Sequence, residues 1–103
     1  MKIIALITLI ISLTACSDGA IIGANKLLNK GEYSAAISKA LHAESKYDYT
    51  PLQQAELYYI VAESYAKLNE TEKSVAMYKS IVDSYPETKF ALLSKTVLKT
   101  TQP

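Results

Sequence analysis

The sequence predicts an all-α chain of short helices joined by tight turns and set behind an apolar leader, and three observations carry that. Between positions 20 and 100 the apolar residues recur at three- and four-residue steps and never alternate as a strand would. In that stretch Gly occurs only as Gly23 and Gly31 and Pro only as Pro51 and Pro86, all at places where the apolar phase restarts. Ahead of it, Met1-Lys2 is followed by an almost purely apolar run from Ile3 to Leu13, which ends at Ser17-Asp18-Gly19.

The leader has one positive charge, an apolar middle and small residues after it, the three-part layout of a secretory signal. A membrane span needs about 20 apolar residues, so this run is too short to be one. Five helices are expected behind it, at about 20 to 30, 33 to 47, 51 to 68, 70 to 84 and 87 to 100. Gly31 supplies the turn between the first two. The third opens with Thr50-Pro51-Leu52-Gln53: an N-cap, a Pro at the first helical position and a Gln three residues past the cap. Leu57, Tyr58, Val61, Tyr65 and Leu68 form its apolar face, and Val75, Tyr78, Ile81, Val82 and Tyr85 form that of the fourth. Between these two, Asn69 is expected to end one helix in the left-handed conformation and to cap the next with its side chain. The last helix should pack through Phe90, Leu93 and Val97, leaving Leu92 and Leu98 outside.

Leu13-Thr14-Ala15-Cys16 resembles the lipobox of bacterial lipoprotein signals at all four positions. That resemblance implies cleavage before Cys16, a thioether from its sulfur to diacylglycerol, and an N-acyl chain such as palmitate on the new amino group. Two acyl chains suffice for stable anchoring, since each buried methylene contributes about 0.8 kcal/mol. The chain then divides into a lipoprotein signal peptide at 1–15, a lipidated N-terminus at 16–19 and a helical domain at 20–103. In enterobacterial-type lipoproteins an Asp directly after the Cys retains the protein at the inner membrane. Here Ser17 holds that place, which implies the outer membrane.

Internal periodicity adds a second resemblance. Tyr58, Val61-Ala62, Tyr65, Ser74, Tyr78 and Pro86 match the spacing of a tetratricopeptide repeat over 55 to 88, with Ala62 and Ser74 in its small-residue places. An earlier pair, about 17 to 50, keeps Ala24, Ala36 and Gly31-Glu32-Tyr33 but has Leu27, Ala40 and Asp48 where the pattern has Tyr, an aromatic and Pro. Ala36 and Ser74 lie 38 residues apart instead of the usual 34, as if one turn were added at Pro51 to Gln54. The segment from Tyr78 to Ala91 is also similar to the helix-turn signature of periplasmic tetratricopeptide lipoproteins of outer-membrane assembly. The fold so implied is a short TPR-like helical-hairpin solenoid: two helix pairs plus a C-terminal capping helix.

Tetratricopeptide proteins bind peptides on the face made by the first helix of each pair. Carried over by position, that face comprises Ile21, Asn25, Leu28 and Asn29, then Glu56, Tyr59, Glu63, Ala66 and Lys67. Its apolar anchors are Ile21, Leu28 and Tyr59. Ile21 and Leu28 serve equally well as cover for the core of a chain with few repeats, and burial of Tyr59 by its own chain would favour that alternative. Tyr47, Tyr49 and Tyr59 fall off the core stripe and are the tyrosines available for recognition.

Composition narrows the function. One Cys and one His leave no set of ligands for a zinc site. His42 stands alone, with no nucleophile elbow or Gly-rich phosphate loop in the chain, so no enzyme and no cofactor beyond the acyl chains are expected. All basic residues are Lys, and loss of Lys2 leaves 10 of them against 10 acids, so neither a nucleic-acid site nor a polybasic patch is expected. The expected protein is a lipid-anchored adaptor of the outer membrane facing the periplasm, assembly- or pilotin-like, that binds an envelope protein or a second copy of itself. The alternative is an exclusion- or inhibitor-type defensive lipoprotein that blocks a partner and assembles nothing.

Overall fold

The structure is a computed structural model that describes residues 18–101. The expected signal peptide and Cys16 lie outside the described residues. Those residues form five helices and no strand: α1 over 18–29, α2 (Tyr33–Lys46), α3 (Pro51–Lys67), α4 (Thr71–Ser84) and α5 (Lys89–Thr101). None is long and apolar enough to cross a membrane.

The turns follow from local chemistry. After α1, Gly31 takes φ 84°, the Glu32 N–H donates to the Leu27 carbonyl at 2.9 Å and the Gly31 N–H to that of Leu28 at 3.1 Å. This is the Schellman closure of a helix C-terminus. After α3, Asn69 takes φ 63°, with Glu70 donating to Tyr65 at 2.9 Å and Asn69 to Ala66 at 3.1 Å. The two turns are the same motif displaced by 38 residues, the offset of Ala36 and Ser74. Even the residues entering the next helix agree, with φ/ψ of −90°/69° at Glu32 and −92°/69° at Glu70.

Two expectations about caps are settled differently. Thr50 and Gln53 form the expected reciprocal capping box, Thr50 N–H donating to Gln53 Oε1 at 3.0 Å and Gln53 N–H to Thr50 Oγ1 at 3.2 Å. Asn69, however, does not cap α4. Its backbone closes α3, which makes Glu70 the N-cap, and no side-chain cap bond forms there. Helix α5 starts two residues later than expected because Thr88, whose Oγ1 accepts the Ala91 N–H at 3.3 Å, is its cap.

Small residues sit where helices cross. Ala24 and Ala36 are fully buried between α1 and α2, as is Ala62 between α3 and α4, where the Ser74 hydroxyl donates to the Ala62 carbonyl at 2.9 Å. One core joins α1, α2 and α3 through Ile21, Ala40, Ala43, Leu57, Ile60 and Val61. A second joins α3, α4 and α5 through Ala55, Ile81 and Ala91, with Tyr58, Tyr59, Tyr85 and Phe90 packed against it. Helix α5 lies against both α3 and α4. Its phase corrects the sequence expectation: Ala91 and Ser94 are buried, whereas Leu93 is exposed together with Leu92.

Candidate interaction surface

The first helices of the two pairs, α1 and α3, are neighbours, and α5 continues the row. Asn25 Nδ2 on α1 donates to Glu56 Oε2 on α3 at 3.3 Å. On the other side of α3, the Tyr59 ring lies 5.5 Å from the Phe90 ring of α5. Asn25, Glu56, Tyr59 and Glu63 therefore share one surface, half-buried, with Asn29, Ala66 and Lys67 exposed along it.

Two expected anchors are not free. Ile21 is only 7% exposed because it fills the core between α1 and α3, which removes it from any partner-facing set. Leu28 is half-buried and packs on the same core. Tyr59 is not off the core either. Besides Phe90 it meets Tyr78 edge-on at 5.7 Å, and burial, with the Glu63 carboxylate beside it, pushes its phenol up to about 12. Burial first, then Glu63 and Tyr59, also raises the Tyr78 hydroxyl. A neutral phenol is retained at both positions because a phenolate there would be desolvated and next to a carboxylate. Tyr59 and Phe90 thus belong as much to the α3/α5 seam as to the surface, and burial by its own chain favours a covering role for Ile21 and Leu28.

At the far end of α2 the surface has two clefts that share Tyr47. One, of about 340 Å3, is lined by Glu44, Asp48, Tyr49, Gln54 and Tyr85 among others. Glu44 is held there by Gln54 Nε2 at 2.9 Å and by the Tyr58 hydroxyl at 3.3 Å. Tyr47 and Tyr49 meet edge-on at 5.9 Å, and burial followed by the nearness of Tyr47 and Asp18 raises the Tyr49 hydroxyl. The other cleft, of about 300 Å3, has Gly19 and Ala20 on one wall and Lys39, His42 and Lys46 on the other. Sequence balance gave no hint of that cluster. Its trace is the i, i+3, i+7 spacing of the three residues on α2, one helix face.

Asp18 ties this end of the molecule to the start of α1, because Gln53 Nε2 donates to its Oδ1 at 3.4 Å. Among the described residues no group of three or more His, Cys, Asp and Glu is arranged to hold a metal ion. Compared with known proteins, the chain matches no family model, no curated protein and no solved structure.

Proposed function

We propose that this chain is a lipid-anchored, TPR-like adaptor of the outer membrane that holds an envelope protein against the row formed by α1, α3 and α5. One observation carries the reading. The first helices of successive hairpins lie side by side, linked by Asn25 to Glu56 and by Tyr59 to Phe90, which is how a helical-hairpin solenoid builds a continuous binding face. The identical turns 38 residues apart and the buried small residues at both crossings support the same architecture. Within that face the polar and exposed positions Asn25, Asn29, Glu56, Glu63 and Lys67 contact the partner, and Ile21 and Leu28 underpin it.

The anchor is Cys16, supported by the four lipobox residues and the apolar run before them. Catalysis has no part in the proposal. Two observations in cells test it. Cys16→Ser abolishes acyl labelling and releases the chain from the outer-membrane fraction. Deletion lowers the amount of one outer-membrane complex. Intact complexes with altered susceptibility to an incoming agent would overturn the adaptor in favour of a blocking lipoprotein.

A further inference from the structure

We infer that the Lys39, His42 and Lys46 face of α2 is seated on the phosphates of the bilayer to which the chain is tethered, so that the molecule lies against the membrane in one fixed orientation. The inference rests on the Cys16 anchor of the proposed function. Cys16 precedes Asp18 by two residues, which span at most about 7 Å. The acyl chains must therefore leave the protein beside Gly19 and Ala20, and those two residues form one wall of the basic cleft. Of the ionisable residues lining that cleft, Lys39 and Lys46 are cationic, His42 becomes so on protonation, and the fourth is the phenol of Tyr47; none is a carboxylate.

The local geometry keeps the cations at the tether. Gly23 on α1 leaves space that Lys39 occupies: a Cβ at Gly23 would lie 2.5 Å from Lys39 Cε and 3.3 Å from its Nζ. The Lys39 stem thus lies across α1 at Gly23, and the residue is exposed. Lys46 is held over the Tyr47 ring, its Nζ 5.4 Å from the centroid. Ile22, one turn beyond Asp18 on the same end of α1, is 56% exposed and offers an apolar contact. Lysines flanked by a Tyr and an exposed aliphatic residue suit the headgroup layer of a bilayer. Because the tether already confines the chain to the surface, even two Lys contacts suffice to orient it, at about 1 kcal/mol each.

The test is amine footprinting of the exported chain, first in detergent and then in vesicles of equal parts phosphatidylglycerol and phosphatidylcholine, read by mass spectrometry. Lys39 and Lys46 are expected to acylate about fivefold more slowly in the vesicles, whereas Lys95 and Lys99 on α5 keep their detergent rates. Equal rates at Lys39 and Lys46 in both settings would overturn the proposal. So would equal protection of all four lysines, or equal protection of Lys39 and Lys46 by inorganic phosphate in detergent, which would make the cleft a site for the free ion. The intact mass separates this inference from the anchor. Acyl mass without protection discards the orientation and keeps the anchor, whereas absence of acyl mass discards the anchor and this inference with it.

Discussion

Ser94 and Tyr59 show how far single residues depend on neighbours remote in sequence. The Ser94 hydroxyl is fully buried on α5 and has no hydrogen-bond partner among the described residues, so its desolvation is uncompensated there. Ser94→Ala should therefore raise stability by about 1 kcal/mol, read as a higher urea midpoint at unchanged slope. A lower midpoint would mean that the hydroxyl has a partner. Tyr59 and Tyr78 hold their protons more tightly in the folded chain than in the unfolded one. Their contribution is thus complete below pH about 10 and is lost as pH rises through the folded value of about 12 for Tyr59. Thermal melts should accordingly fall steeply above pH about 10, and Tyr59→Phe should flatten that fall. An alkaline fall of the same slope in Tyr59→Phe would count against the burial of this phenol. The sequence could not show that burial, since Tyr59 leaves the apolar stripe of its own helix and is covered by Phe90, 31 residues further on.

At the scale of elements, what was legible is what local chemistry decides. Gly31 and Asn69 mark the left-handed closures, and Thr50 with Gln53 marks the start of α3, because each acts on backbone within five residues of itself. Thr50→Ala removes the Oγ1 that accepts the Gln53 N–H, while the backbone N–H of residue 50 still reaches Gln53, and should cost about 1 kcal/mol; an unchanged denaturation midpoint would show the cap to be idle. The phase of α5 was not legible. Hydropathy selects Leu93 as the packed residue, yet the close approach of α5 to α3 and α4 favours small side chains, and Ala91 and Ser94 take the seam. The basic cleft escaped for a related reason. Net charge averages over the whole chain, whereas the cleft arises from three residues on one face of α2 opposed to the glycines of α1.

At the scale of the whole molecule, the described residues are five packed helices with two kinds of surface. The small residues at 24, 36, 62 and 74 let each pair close tightly, and the shared 38-residue offset keeps the first helices in register, so α1, α3 and α5 share a face. In the proposed arrangement the basic end beside Gly19 and Ala20 would face the bilayer, which would leave that row for a partner at the membrane. The central claim is that the row is occupied. It is tested most directly by placing a photo-crosslinking residue at Lys67, exposed on α3, and separately at Asp83, exposed on α4, in intact cells. The account predicts that Lys67 traps one envelope protein that Asp83 does not. Equal capture from both sites, copies of the same chain alone, or nothing from Lys67 would contradict it.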